Sequence, residues 1–353
     1  PPFFVGSSLN TVANRTGRLY LAPNDARSAY GDNTGGYFVD VTAYVPGVPA
    51  GFAPGDEILV HQTAGDGAGQ FEFARIASIG NSSLILSAPL QRTYSSEMHP
   101  SKAQVVRVPN YRNVTVAGNG TITAHRWRNG SPYRYRDGSP AYNGGIVVFR
   151  VSNSLNIEPR GKISADALGF VGGAASPWDW AFTGESYTGW GGFSRSPNGG
   201  GGGGSQSNGT GGGGGYGSRG GNGREGNYGE GGYTYNEQDP ALTRIYLGSG
   251  GGGAVDKVNE PWSNGASGGG IILIYAQNIQ SNGQISANGG QPGSARWEGG
   301  GGSGGSIKLV GARITSSNVI QATGGVPSRN GGIGGVGRIR IEYCESLSGS
   351  TNP

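Results

Sequence analysis

Hydrophobic and polar positions alternate in short stretches along the chain, which is the pattern of β-strands. Residues 58–60 form a short apolar run, and residues 71–77 alternate with period two. A Gly80–Asn81 turn then leads into a returning stretch at residues 84–86. We therefore predict a small antiparallel β unit in residues 1–104, which begins with an extended N-terminal arm.

A repeat starts at residue 105. Its copies are VVRVPNYRNVTVAGNGTITA (105–124), VVFRVSNSLNIEPRGKISA (147–165), IILIYAQNIQSNGQISA (271–287) and IKLVGARITSSNVIQA (307–322), with a half copy RIRIEY (338–343). Each full copy has an alternating strand, polar bends and a closing Ile-x-Ala. This predicts an all-β fold, with a β-solenoid or sandwich-like repeat over residues 105–353.

The alternation also predicts which side chains point inward. One apolar pair from each copy should form a continuous ladder, while the polar residues between them stay outside. The pairs are Val106/Val108, Val147/Phe149, Ile272/Ile274, Ile307/Leu309 and Ile339/Ile341.

Glycine-rich insertions interrupt the repeat at about residues 166–268, 288–306 and 323–337. The chain has 74 glycines among 353 residues, about three times the usual share. Because the ends of each insertion return to neighbouring strands, we expect packed polyglycine II-type helices, where only glycine fits between touching chains. The alternative is a flexible glycine loop. An RNA-binding tract is disfavoured, because the RGG-like segment SRGGNGREGNYGEGG contains two glutamates.

Composition limits the classes of partner. Charged residues make up 14% of the chain and the net charge is +4, which does not provide the dense basic patch of a nucleic-acid-binding protein. No apolar run reaches the length of a transmembrane helix, so no membrane span is expected. The single cysteine, Cys344, cannot form an internal disulfide and is a candidate for pairing outside the chain.

No catalytic constellation stands out. His61, His99 and His125 lack partners at metal-ligand spacing, and we predict that they are loop or surface residues. No G-x-G-x-x-G match follows a strand and opens a helix, and the carboxylates of the insertions are scattered. We therefore expect no enzyme, no cofactor and no metal site. A polysaccharide-active enzyme with paired carboxylates is kept as a second alternative.

Trp, Tyr and Arg concentrate in loops at residues 125–142, 176–190 and 233–247. Exposed aromatics of this kind contact a partner subunit, bind sugar rings or cap the fold, and all three interpretations stay open. The candidate assembly contacts are Phe3, Phe4, Val5, Tyr133, Tyr135, Trp178, Trp180 and Trp190, and the candidate glycan contacts are Trp127, Tyr233, Tyr235 and Tyr246. N-x-S/T triplets mark candidate glycosylation sites at Asn14, Asn81, Asn113, Asn119, Asn129 and Asn208.

The phrases GDEILVHQTAGDGAGQFEFARIAS, AQVVRVPNYRNVTV, GGIVVFRVSNSLNI, GKISADALGF, GGGIILIYAQNI, QISANGG and GRIRIEYCESLSGSTNP resemble glycine-rich secreted and cell-surface proteins of bacteria. The resemblance covers most of the chain and implies an extracellular location. In such proteins the chain continues with further cysteines, which implies a partner for Cys344 outside this sequence. The glycine tracts are also similar to those of phage tail-tip adhesins and of the glycine-rich domain of some receptor tyrosine kinases.

These observations lead to two functional hypotheses. The first is an extracellular structural protein, a self-assembling subunit of a surface fibre, filament or sheath, whose N-terminal arm docks on the next copy. The second is a cell-surface adhesin that binds glycans through its aromatic loops. Expected partners are further copies of the same chain or a glycan, and neither nucleic acid nor a membrane span is expected.

Overall fold

The computed structural model describes residues 51–80, 83–96, 100–128, 143–190, 192–194, 198–235, 239, 241–256 and 261–353. These residues all belong to one compact unit, Thr42–Pro353. Within them the chain forms strands and no helix, in agreement with the all-β part of the prediction.

The strands, in chain order, are β1 (Glu57–Ala64), β2 (Phe71–Ile79), β3 (Leu84–Leu86), β4 (Lys102–Arg107), β5 (Asn110–Val116), β6 (Thr121–Ile122), β7 (Ile146–Ile157), β8 (Lys162–Ser164), β9 (Glu185–Ser186), β10 (Gly189–Trp190), β11 (Ser205–Gly209), β12 (Gly226–Asn227), β13 (Val255–Asp256), β14 (Ile271–Ser281), β15 (Gln284–Ser286), β16 (Ser306–Ser316), β17 (Ile320–Gln321), β18 (Arg338–Ser348) and β19 (Thr351–Asn352).

The first four strands form an antiparallel sheet in the order β3-β2-β1-β4. Leu59 pairs with Phe73 on one side and with Val106 on the other. Val106 was predicted to begin the inward ladder of the repeat, and that prediction is wrong. The alternation around Val106 is that of a strand, but its partner is β1 and not the next repeat.

The predicted β-solenoid or sandwich-like repeat is also wrong. The repeats form two five-stranded parallel sheets, β18-β16-β14-β7-β5 and β19-β17-β15-β8-β6, a layout like that of α/β proteins. Each repeat gives one long strand to the first sheet and one short strand to the second. Parallel strands need long crossovers, which are usually helices, and here glycine-rich segments take that place. The spacing of apolar residues marks the strands but does not determine how they connect.

The register of the first parallel sheet aligns equivalent residues of successive repeats. Val147, Ile272, Ile307 and Ile339 lie in one row, so this part of the predicted ladder is confirmed. Their side chains belong to the core that the two parallel sheets enclose, together with Leu155, Ile163 and Ile285. The β-branched residues that dominate this core suit the pleated surface of a sheet.

Glycine-rich segments pack against one another beside the sheets, in what we call the glycine bundle (residues 199–204, 211–215, 248–253, 299–305 and 332–337). The bundle is held by backbone hydrogen bonds between segments. Gly212 donates to the Gly202 carbonyl at 2.9 Å, Gly252 to Gly212 at 2.8 Å, and Gly300 to Gly252 at 2.8 Å. These bonds satisfy buried peptide groups without side chains. The glycines leave room for carbonyls of neighbouring segments, which approach to within about 2 Å of where a Cβ would lie.

A buried tyrosine cluster connects the glycine bundle to the parallel sheet. Tyr216, Tyr235 and Tyr246 pack together. The Tyr216 hydroxyl hydrogen-bonds the Ser306 hydroxyl at the start of β16 at 2.7 Å, and that of Tyr235 hydrogen-bonds Ser249 of the bundle. Burial raises the pKa of Tyr216 above its ordinary value.

A series of buried polar side chains connects β1 to β4 and to Ile245, which lies just before residues 248–253 of the glycine bundle. Gln104 donates to the Thr63 hydroxyl at 2.8 Å, and this hydroxyl lies 2.9 Å from Nδ1 of His61. His61 Nε2 lies 2.9 Å from the Ile245 carbonyl, which can only accept, so Nε2 carries the proton and Nδ1 accepts from Thr63. His61 is fully buried in a strand, so its prediction as a loop or surface residue is wrong.

Candidate functional site

The two parallel sheets end in edge strands that have a partner on one side only within the described residues. At one end these are β18 and β19, and at the other end β5 and β6. We call them the carboxyl edge and the amino edge. Residues 343–348 of β18 and residues 110–113 of β5 are exposed. A strand edge of this kind presents unpaired backbone donors and acceptors to another strand.

One apolar row crosses the whole first sheet and reaches both edges. It consists of Val114, Leu155, Ile279, Ile314 and Leu347, each paired with the next in register. The middle three are buried, whereas Leu347 is 42% exposed at the carboxyl edge. At the carboxyl edge the row therefore ends in an apolar side chain that no further strand of the described residues covers.

A cavity lies at the carboxyl edge, between the ends of the two sheets. Its volume is about 270 Å³, and it is lined in part by Ile314, Ile320, Ile341 and Leu347. These residues belong to the core rows or extend them, so the core is not closed at this end. The cavity is of a size that apolar side chains of another strand could fill.

Charged residues surround the carboxyl edge. Glu342 bonds Lys308 at 3.1 Å and Arg340 at 3.4 Å. Burial by itself would raise the pKa of Glu342, but the two cations together outweigh burial and lower it. Glu345 pairs with Arg313 in the neighbouring strand, and the amino edge carries the exposed Arg112. The two carboxylates of the carboxyl edge are therefore each paired with cations of their own chain, and the amino edge carries an exposed cation.

The predicted assembly contacts that the structure describes do not lie on these edges. Trp178 and Trp180 are exposed, but they lie beside the glycine bundle, where Trp180 bridges Ser205 through the backbone. Trp190 pairs with Glu185 in a two-stranded ribbon. The remaining candidates, Phe3, Phe4, Val5, Tyr133 and Tyr135, lie outside the described residues.

Three of the four predicted glycan contacts are interior residues. Trp127 is buried and donates its ring N–H to Glu185 at 3.1 Å, and Tyr235 and Tyr246 belong to the tyrosine cluster. In these positions they present no open ring face to a sugar. Tyr233 is exposed, with the guanidinium of Arg219 at 5.2 Å from its ring centroid.

Some of the glycosylation candidates are exposed, one is partly buried, and the others lie outside the described residues. Asn113 is exposed on the amino edge, where its carbonyl oxygen accepts from Asn153 at 2.8 Å, and Asn119 is exposed in a turn at a positive φ of 71°. Asn208 is half-buried in β11, and Thr210 of its triplet is fully buried. Asn14, Asn81 and Asn129 lie outside the described residues.

Comparison with known proteins gave no match to any family model, any curated protein or any solved structure. Within the described ranges, no group of three metal-ligating side chains lies together. The same part of the chain contains no helix that is long and apolar enough to cross a membrane.

The sequence reasoning did not single out Val114 or Leu347 as contacts. The segment RIRIEY was the available signal, because it begins β18, although the structure shows a full copy there, β18 followed by β19, and not a half copy. Terminal repeats in stacked architectures are atypical because one of their faces lacks a neighbour of the same chain. The high aromatic content of the loops predicted contacts there instead.

Proposed function

We propose that the protein is an extracellular structural subunit whose copies assemble head to tail by continuing the two parallel sheets. The observation that carries this proposal is the apolar row that reaches both exposed edges in a single register. The carboxyl edge of one copy then receives the amino edge of the next. Such a contact joins two different surfaces, so it repeats along an open filament unless the rotation closes a ring.

The register of the sheet fixes the contacts expected between copies. Continuing the pairing by one strand places Leu347 beside Val114 of the next copy and Tyr343 beside its Tyr111. In the second sheet, Thr351 comes beside Ile122 of the next copy. Backbone pairing and apolar contact thus favour the same alignment.

Docking of the N-terminal arm on the next copy is the alternative contact, and the shared register of the apolar row favours the amino edge as the occupant of the carboxyl edge. The resemblance to glycine-rich secreted bacterial proteins supports an extracellular or cell-surface location. The extended parallel sheets and the tightly bonded glycine bundle suit a structural role.

Replacing Leu347 by lysine should convert assemblies into monomers. The change removes an apolar side chain from the predicted contact and places a charge in the open end of the core, and edge charges oppose strand addition. Burying the 42% of Leu347 that is still exposed is worth about 0.6–1.3 kcal/mol, so losing this contact alone should raise the concentration needed for assembly about three- to eightfold. Sedimentation velocity and electron microscopy would measure this.

Val326→Lys is the matched control. Val326 is 51% exposed, against 42% for Leu347, and it lies outside the strands, in the segment between β17 and β18. It should assemble like the unmodified chain, as should a chain lacking residues 1–10. Filaments that persist in Leu347→Lys would contradict the proposal. Loss of assembly on deleting residues 1–10 would point to the arm as the occupant of the edge instead.

A further inference from the structure

Two rows of polar side chains run side by side across the outer face of the first parallel sheet. The first row consists of Asn113, Ser154, Asn278, Arg313 and Ser346, and the second of Thr115, Asn156, Gln280, Thr315 and Ser348. Within each row, every residue is paired in register with the next, at the usual strand spacing of about 4.8 Å. We call the two rows together the polar face.

The polar face is the reverse side of a buried core row. In every strand, the residue between the two polar positions belongs to the apolar row that runs from Val114 to Leu347. Successive side chains of a strand point to opposite sides, so both polar rows point away from the core. Seven of the ten polar residues are exposed and the other three are half-buried. Because parallel sheets are nearly always covered on both faces, this open face indicates a partner.

Side-chain hydrogen bonds order the first row. Arg313 donates to Oδ1 of Asn278 at 3.4 Å, and Asn278 donates to the carbonyl oxygen of Asn153, also at 3.4 Å. Asn153 in turn donates to Oδ1 of Asn113 at 2.8 Å. Arg313, the only charged member of the polar face, is paired with Glu345. The row is therefore ordered and electrically balanced before a partner arrives, which lowers the entropy cost of binding.

The second row offers open hydrogen-bonding groups. Its five side chains make no hydrogen bond within the described part of the chain. Hydroxyl and amide side chains each carry a donor and an acceptor, so this row is complementary to a copy of itself. It carries no charge, so two copies of the row do not repel each other. A second copy of the same face is therefore the occupant that the chemistry favours.

The area of the polar face determines when such a contact can form. Five strands and two rows cover roughly 24 Å by 10 Å, or about 240 Å² per copy. A stable interface buries about 800 Å² on each partner, so one copy is too small but a row of about four copies is large enough. In the proposed filament, Ser346 lies beside Asn113 of the next copy and Ser348 beside its Thr115. Both polar rows then continue from copy to copy without a break.

We propose that filaments of this protein associate in pairs through their polar faces, with the two sheets packed face to face about 10 Å apart. This inference rests on the proposed head-to-tail assembly and assigns that assembly a second contact. The contact joins two identical surfaces, so it closes at two filaments. Paired sheets of fibrils use the same arrangement, in which ladders of Asn and Gln strengthen the contact.

Electron microscopy of the assembled protein tests the pairing. Gln280→Lys and Thr315→Lys place charges in the second row, where they face like charges of the other filament. Both residues lie on inner strands of the sheet, so the two edges are unchanged. We expect filaments of normal length that are paired at least about tenfold less often than those of the unmodified chain. Gln291→Lys, which changes an exposed glutamine between β15 and β16, is the control and should form paired filaments.

The outcomes separate this inference from the proposed function. Filaments that are single in the unmodified chain, or that stay paired in Gln280→Lys and Thr315→Lys, would overturn the pairing and leave head-to-tail assembly intact. Absence of any filament would refute the proposed assembly, and the pairing with it. Single filaments that bind cellulose, but lose this binding in Gln280→Lys, would assign the polar face to a neutral polysaccharide instead.

Discussion

Replacing Gly300 by alanine should lower the free energy of unfolding by at least about 3 kcal/mol, an effect in the severe range for a single methyl group. A Cβ on Gly300 would lie 1.8 Å from the carbonyl oxygen of Gly212 and 2.3 Å from its carbon. Both partners are backbone atoms. Gly300 is bonded to Gly252, and Gly252 to Gly212, so neither segment can withdraw without breaking these bonds.

Gly293→Ala is the control for this substitution. The nearest atom to a Cβ at Gly293 is a side-chain carbon of Ser263 at 3.8 Å, an ordinary contact. That variant should unfold within about 0.5 kcal/mol of the unmodified chain. Chemical denaturation followed by circular dichroism measures both. If the two variants proved equally stable, the glycine bundle would not be packed as described.

The second large effect is a pH dependence of the free energy of unfolding, which arises from His61. Burial lowers the pKa of His61 to about 4, against an ordinary value of 6.5, although the hydrogen bond to the Ile245 carbonyl acts in the opposite direction. The unfolded chain therefore takes up the proton at higher pH than the folded chain. Stability is complete above pH 6.5 and declines as the pH falls towards 4, by up to about 3 kcal/mol.

Urea denaturation at pH values between 7 and 4.5 measures this slope, with His61→Gln as the comparison. The variant lacks the titrating group, so it should be less stable at pH 7 but should lose less stability on acidification. Glu225, whose pKa is lowered to about 2 by hydrogen bonds from Arg296 and Asn330, titrates below this window. Identical slopes in both chains would assign the pH dependence to other groups.

The alternation of residues predicted the strands of the repeat and the row that contains Val147, Ile272 and Ile307. It did so because inward side chains in a buried sheet must be apolar at every second position. Alternation does not specify which strand is the neighbour, so Val106 was placed in the repeat although it pairs with β1. For the same reason the spacing of copies suggested a solenoid where the chain forms parallel sheets with long glycine crossovers.

The candidate site was harder to predict from the sequence. Whether an aromatic or titratable residue is buried depends on partners far away along the chain. Tyr235 is interior because Ser249 satisfies its hydroxyl, and His61 is interior because the carbonyl of Ile245, 184 residues later, accepts its proton. No local pattern encodes such partners. Leu347 was missed because the copy that begins with RIRIEY was predicted to end at residue 343, whereas β18 continues to Ser348.

The glycine bundle also affects the heat capacity of unfolding. Melting it would hydrate mostly amides, and newly wetted polar surface decreases the heat capacity whereas apolar surface increases it. The chain should therefore show a smaller heat-capacity change on unfolding than a protein of equal length with a larger apolar core. Its free energy of unfolding should therefore change little when the temperature is raised or lowered from the point of maximum stability.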